Sequence, residues 1–597
     1  MSLHTLDWSL IAAFFVITLA IGFLSARQSG KSASEFFLSG RNMPWWLLGV
    51  SMVATTFSAD TPNLVTDIVR KKGVAGNWAW WAFLLTGMLT VFVYARLWRR
   101  SGVLTDLEFY ELRYSGKAAA FLRGFRAIYL GVFFNVVIMA TVSLAAIKIG
   151  GVLLGLSPIQ TVLIASVVTV IYSMAGGLRG VILTDFFQFI MAMIGTVWAA
   201  YVVVDLPEIG GLSNLLAHEN VSGKLNLLPD FKDSGLLIEL LIIPIAVQWW
   251  SVWYPGAEPG GGGYVAQRML AAKDEDNAMG ATLLFNVAHY ALRPWPWILI
   301  ALCSLVIFPD LASIQAQFPD LDPNVINDDL AYPAMLSFLP SGLLGLVIAS
   351  LIAAYMSTIS THLNWGSSYV VNDWYKRFIN PTASGSTEVL VGRISTLTLM
   401  ILSAVLALFL SNALQAFNIL LQIGAGTGLI FILRWFWWRI NAYSELAAMV
   451  ISFFIALYFE FIHTNVLEFE ALESHYKLII GVIVTTIGWV IVTFLTQPTE
   501  QETLLKFYKL IRPAAGGWKP VIERAEEEGQ LDLSDVRKGK LPLQVLGMLV
   551  GCTTVYAALF GTGFWIYGQV ASALFASGVA VLGGIVLFRL WGQLKEN

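Results

Sequence analysis

Runs of apolar residues long enough to cross a bilayer recur along nearly the whole chain. They begin near Leu6, Trp45, Asn77, Phe121, Ser157, Val181, Leu236, Ala281, Ser341, Val391, Gln415, Leu446, Lys477, Leu543 and Ala571. A membrane helix needs about 20 predominantly apolar residues, so the pattern predicts about fifteen of them. Two runs are interrupted. The second carries TTFSADTPNL, which puts Asp60 and Pro62 at membrane depth, and the seventh carries WYPGAEPGGGGYVAQR, with two prolines, a run of glycines and Glu258. Proline removes an amide donor and glycine weakens a helix, so both stretches are expected to unwind. Unwound backbone survives at that depth only where it lines a cavity or is buried in protein. Each break opens a set of five helices, and paired interruptions in two halves point to an inverted-repeat transporter with its site at the midplane.

Another run ends in AAYMSTISTHLN, residues 353–364. On a helix, Ala354, Ser357, Thr358 and Thr361 follow the 0, +3, +4, +7 spacing and share one face. Hydroxyls in such a place commonly bond back to a carbonyl one turn earlier or join neighbouring helices. Asp185 also falls inside an apolar run. A carboxylate there costs roughly 2.5–3.5 kcal/mol on insertion scales and needs a partner.

Composition narrows the class. Of the 597 residues, 57% are hydrophobic and 13% charged, against about 25% charged in a soluble domain. The mean hydropathy is +0.71, so lipid is the expected solvent and the bilayer the expected partner. No basic run with interleaved aromatics appears in a soluble segment, and no nucleic-acid partner is expected. Cys303 and Cys552 both lie in apolar runs and imply neither a disulfide framework nor a metal site. Polar loops at 205–235, 309–332 and 497–542 are too short to bury a core of their own. The last, with ERAEEEGQLDLSDVRKGK, reads as a solvated cytoplasmic linker.

Loop charges set an orientation. Arg27, Lys31, Arg41, Arg96, Arg99, Arg100, Arg179, Lys273, Lys376, Arg377, Arg434 and Arg439 fall on one side if every run spans. By the positive-inside rule that side is cytoplasmic, with the N-terminus outside and the C-terminus inside. Arg70, Lys71 and Lys72 fall on the other side and break the rule. The absence of His-Glu-x-x-His, Gly-x-Ser-x-Gly and a phosphate-cradling loop argues against an enzyme. A channel accounts less well for matched broken helices than alternating access does. A transporter-fold membrane sensor or receptor without net transport is the alternative, and it would normally need an attached signalling domain.

Three motifs carry a resemblance to a known family. YSMAGGLRGVILTDFFQFIMAMIG (172–195), AAYMSTIS and YVAQRMLAAK (264–273) resemble signatures of the sodium:solute symporters, which share the leucine-transporter fold. The likeness covers roughly residues 5–440. It implies an all-α polytopic membrane protein built as a five-plus-five inverted repeat, with one extra N-terminal and about four extra C-terminal helices. The implied divisions are 1–44, a first repeat at 45–205, a loop at 206–235, a second repeat at 236–440, extra helices at 441–496, the 497–542 linker and terminal helices at 543–597. The implied activity is symport of sodium with a small organic solute (sugar, polyol, amino acid or other organic ion) in a plasma or inner membrane.

The resemblance also implies site residues. A first sodium site would take carbonyls of Ala54, Phe57 and Ala354 and hydroxyls of Ser357 and Thr358. Unwound carbonyls and hydroxyls can replace an ion's hydration shell without fixed charge. A second sodium would use Asp185, Ser357, Ser360 and Thr361; otherwise Asp185 pairs with Arg179 or water. For the solute, Thr61, Trp80, Glu258, Gly261, Tyr264, His289 and Arg293 are candidates, with Trp249, Trp250 and Trp253 nearby. Tyr264 matches an aromatic gate of relatives. Where the family's sugar carriers have polar and acidic residues, this chain has NWAWWAF (77–83). Glu258 is suited either to hold a cation or to cap a half-helix, and His289 with Arg293 either to receive a carboxylate or to pair with Glu258.

Overall fold

The computed structural model describes residues 3–29, 31–56, 58–252, 258–321, 326–410, 424, 426–531 and 539–595. Among these there is no β-strand, and the isolated bridge between Met43 and Ala272 is the nearest approach to one. Among the described residues, eleven helices are long and apolar enough to cross a membrane, and three shorter apolar helices accompany them. The chain is therefore an integral, multi-pass membrane protein. The run expected near Gln415 lies outside the described residues.

In chain order the principal helices are α1 (Thr5–Ser29), α2 (Trp45–Thr56) and α3 (Thr61–Lys72). Next come α4 (Val74–Ser101), α5 (Gly116–Leu154), α6 (Pro158–Ile171) and α7 (Gly176–Val204). They are followed by α8 (Ser234–Trp250), α9 (Gly263–Ala271), α10 (Glu275–Ile307), α11 (Leu343–Ile379) and α12 (Gly385–Ala407). The remainder comprises α13 (Ala442–Ile462), α14 (Ser474–Leu495), α15 (Gln501–Ile511), α16 (Lys519–Glu527), α17 (Leu541–Ile566) and α18 (Val570–Lys595). Helix α6 runs on towards α7 until Gly177, whose φ of 54° and ψ of −161° leave the helical region. Glycine takes that conformation without a Cβ penalty.

Both expected breaks are present. Helix α2 stops at Thr56 and α3 restarts at Thr61 with Pro62 in its first turn, where a missing amide proton costs nothing. Helix α8 stops before the Pro-Gly segment and α9 restarts at Gly263. The hydroxyl-bearing α11 is the most buried of the long helices and packs against α2, α7 and α1. Its N-terminus is capped from another helix: buried Asp7 of α1 accepts hydrogen bonds from Gly342 N at 2.7 Å, Gly345 N at 2.8 Å and Ser341 Oγ at 3.0 Å. These satisfy amides that α11 cannot bond internally.

The 497–542 segment is solvated only in part: Glu523, Arg524 and residues 526–530 of its charged run are exposed as expected, but the stretch before them is packed on the bundle. Leu504, Phe507, Tyr508 and Ile511 form a helical stripe on α15 and are buried, as are Trp518 and, on α16, Val521 and Ile522. Trp518 stacks on Phe507 at 5.4 Å, lies under the Arg113 guanidinium at 4.7 Å and donates from Nε1 to the Trp435 carbonyl at 3.0 Å. The segment has no core of its own because it uses that of the helix bundle.

Candidate solute and sodium site

The first break is held by groups from α9, α10 and α11. Thr358 Oγ1 on α11 donates to the Thr55 carbonyl at 2.8 Å, and Arg293 Nη1 on α10 donates to the Val53 carbonyl at 2.9 Å. A cation at a helix C-terminus also offsets the partial negative charge there. Ser357 Oγ donates to Asp185 Oδ1 of α7 at 2.6 Å. Both hydroxyl protons thus point at protein acceptors, which leaves the oxygen lone pairs of Ser357 and Thr358 available to a cation. Ala54 and Ala354 are buried on the facing helices α2 and α11. Phe57 lies outside the described residues.

Asp185 is fully buried and is met by Ser51 Oγ, which donates to Oδ2 at 2.5 Å. Its cation is Arg268 of α9, with Nη2 at 3.8 Å from Oδ2, rather than Arg179. The same Nη2 donates to Thr361 Oγ1 at 2.7 Å, and Thr361 is hydrogen-bonded to Thr55 Oγ1 at 3.0 Å. Ser360 Oγ bonds back to the Ser357 carbonyl at 3.1 Å. In the sequence, Arg268 stands inside the YVAQRMLAAK motif with no role of its own. The signal was a charged residue directly after a broken helix, on a segment buried on nearly every side.

Beside this cluster lies a cavity of about 230 Å³ bordered by Thr61, Trp80, Tyr264 and His289. Trp80 stacks on Tyr290 at 5.8 Å and meets the His289 ring edge-on at 5.5 Å. At one end the Tyr264 and Thr56 hydroxyls are hydrogen-bonded at 2.8 Å, and Tyr264 is 2% exposed. The other end carries the ion pairs Lys71–Asp67 at 2.6 Å and Lys148–Asp329 at 2.7 Å, with the Lys71 side chain 47% exposed. The cavity is therefore reached from the Lys71 end and closed at Tyr264. Two lining residues that were not among the solute candidates stand out. Asn63 is buried with neither amide atom hydrogen-bonded among the described residues, and Asp60 Oδ1 is likewise without a partner there.

Three of the seven candidates for the solute lie off this cavity. Glu258 is buried against Arg126, with which it forms a close ion pair, and Arg126 lies over the Phe431 ring at 5.0 Å. Arg293 holds the Val53 carbonyl and bonds to His289 Nδ1, so neither it nor His289 reaches Glu258. Gly261, at φ 96°, is pressed against Met269, Thr90 and Trp98; a Cβ there would come within 2.5 Å of Met269 Cε. Its neighbour Gly260 accepts from Trp98 Nε1 at 2.8 Å. The glycines give close packing of the second break on α4. Trp249 and Trp250 end α8 away from the lining, and Trp253 is outside the described residues.

Comparison with known proteins adds the following. Residues 36–452 match the model of the "Sodium:solute symporter family". A "Sodium/glucose cotransporter" of Vibrio parahaemolyticus is 26% identical over 479 residues, covering 77% of this chain and 86% of that protein. "Sodium/myo-inositol cotransporter 2" of Oryctolagus cuniculus is 25% identical over 572 residues, 88% of this chain and 81% of that one. The solved structure of a Na+-coupled sialic acid symporter, in a substrate-bound outward-open state, superposes with a TM-score of 0.63 at 21% identity. It covers 83% of this chain and 99% of its own. That likeness establishes the leucine-transporter fold.

Proposed function

The chain belongs to the sodium:solute symporter family, a family of transporters rather than enzymes, and on that footing we propose that it moves a small neutral, polyhydroxylated solute together with sodium by alternating access. The observation that carries the reading is the crossing of the first break with α11. There Ser357 and Thr358 give their protons away and keep oxygen lone pairs for an ion, beside a cavity walled by α3, α4, α9 and α10. The first sodium is assigned to the carbonyls of Ala54, Phe57 and Ala354 with those two hydroxyls. A second is assigned to Asp185, Ser357, Ser360 and Thr361. The five-helix repeats are taken as 45–205 and 236–440.

The solute class follows from what the charged groups are already doing. Glu258 is neutralised by Arg126, which removes it as a receptor for an organic cation. Arg293 serves the Val53 carbonyl and His289, which removes it as a receptor for a carboxylate. On the cavity itself Lys71 and Lys148 are paired with Asp67 and Asp329, and the wall between offers aromatic surface from Trp80, Tyr290 and Tyr264 with the amide of Asn63 and the carboxylate of Asp60. Flat aromatic walls with a few convergent polar atoms suit a hydroxylated ring, and the relatives named above are glucose and myo-inositol carriers. With the N-terminus outside, the Lys71 end is the outer one and the cavity opens outward.

The test is uptake of labelled glucose and myo-inositol into proteoliposomes against sodium concentration. Ser357→Ala and Thr358→Ala each remove one ligand oxygen, and apparent sodium affinity is expected to fall about tenfold or more, on the scale of a hydrogen bond to a charge. Unchanged sodium dependence in both variants would move the ion elsewhere. Binding without any uptake would turn the reading towards a sensor.

A further inference from the structure

The guanidinium of Arg268 occupies the very cluster that a second sodium has to enter. Its Nη2 is 2.7 Å from Thr361 Oγ1 and 3.8 Å from Asp185 Oδ2, and its Nε donates to Ser51 Oγ at 3.2 Å. Asp185 is one negative charge, and one monovalent cation neutralises it. A guanidinium and a sodium ion held together on that carboxylate would repel each other strongly in a site closed to water. We propose that Arg268 is a tethered cation that holds the Asp185 site until sodium displaces it, and that this exchange is one of two releases needed to free α9. The inference rests on the second-sodium reading given above.

The second release is at the other end of α9. Tyr264 sits one turn before Arg268 on the same helix, hence on the same face, and its hydroxyl is tied to Thr56 at 2.8 Å across the closed end of the cavity. A solute hydroxyl that takes over Thr56 breaks that tie, and sodium at Asp185 breaks the tie through Arg268. Upstream, Gly260, Gly261 and Gly263 have φ of 88°, 96° and 53°. A run of glycines in that region supplies a hinge about which α9 can turn. Gln267 accepts from Arg268 Nη1 at 2.9 Å and itself donates to Asn364 Oδ1 at 2.9 Å, so the displaced guanidinium keeps one partner. Helix α9 moves only when ion and solute are both present, which is the condition for coupled transport.

Arg268→Gln removes the competing charge and keeps a donor for Thr361. Sodium binding to the purified protein, read as the thermal shift in sodium chloride against choline chloride, is expected to tighten about tenfold or more. Arg268→Lys retains the charge and is expected to stay near the wild-type half-saturation. A merely structural salt bridge gives the opposite sign, weaker sodium binding, because its loss would loosen the site. Unchanged or weaker binding in Arg268→Gln, or equal effects of Gln and Lys, overturns the proposal. Asp185→Asn separates the two readings. If it lowers the sodium-to-solute flux ratio while Arg268→Gln has no effect, the second ion stands and the tethered cation falls; if neither variant has an effect, the second-site reading falls too. Should Arg268→Gln not fold, maleimide labelling of Ala266→Cys in the otherwise native chain decides. It is expected to rise several-fold when sodium and solute are added together, and no rise overturns the proposal.

Discussion

Glu258→Gln is expected to destabilise the fold by about 3–5 kcal/mol, because it leaves the Arg126 charge buried without its partner. Arg126 is 3% exposed and Glu258 4%, so no water can take over the lost partner. Thermal unfolding in detergent should fall by many degrees, and uptake should disappear with the folded protein. The companion variant separates a pair that stabilises from one that only must not be broken. Exchanging both residues for methionine removes both desolvation costs, and pairs replaced in this way are often as stable as the parent. The rings of Tyr110 and Phe431, which now face the guanidinium at 5.5 and 5.0 Å, would then pack on methionine instead. A Glu258→Gln protein with a normal unfolding temperature would show that Arg126 draws its compensation from elsewhere.

The pairing of Glu258 with Arg126 spans 132 positions, and no local pattern announces it. From the sequence, the carboxylate had three uses in view, a solute cation, a half-helix cap or a pairing with His289 and Arg293, and the structure gives it Arg126 instead. The same limit applies to Arg268, whose partners come from α2, α7 and α11. By contrast, both helix breaks were legible because proline, glycine and carboxylates at membrane depth are costly in any fold and so mark function directly. The hydroxyl face of α11 was legible for a related reason: helical spacing alone puts Ser357, Thr358 and Thr361 together.

Two other expectations were misled by charge. The acidic run after Arg524 drew attention away from the Leu504, Phe507, Tyr508, Ile511 stripe just before it, whose helical spacing was plain to read. Arg70, Lys71 and Lys72 counted against the predicted orientation as if they were free loop charges. In the fold each is held by a carboxylate: Arg70 by Asp328 at 2.8 Å, Lys71 by Asp67 at 2.6 Å, and Lys72 by Glu239. Arg70 is buried and also donates to the carbonyls of Ser304 and Phe308 at 3.1 and 2.8 Å. Its position is set by tertiary contacts on α10, which a count of loop charges cannot see.

Asn63→Leu is expected to move stability and transport in opposite directions. The Asn63 side chain is 3% exposed, borders the cavity, and leaves both amide atoms without a hydrogen bond among the described residues. An unmade buried hydrogen bond costs about 1–3 kcal/mol, so an apolar side chain of similar size should raise the unfolding temperature of the solute-free protein. Natural sites keep such a cost where the ligand supplies the partner. With a hydroxylated solute bound, the amide can donate once and accept once. Losing two bonds of roughly 1.4 kcal/mol each corresponds to about a hundredfold loss in uptake efficiency. The measurements are thermal unfolding without solute and initial uptake rates for glucose and myo-inositol at saturating sodium. A variant that is less stable would show that the amide has a protein partner in the resting state. One that transports normally would take the solute away from the α3 side of the cavity, and with it the polar atoms that favour a hydroxylated ring. Sodium half-saturation should stay unchanged in this variant, since Ser357, Thr358 and Asp185 are untouched, and that separates a lost solute contact from a disturbed ion site.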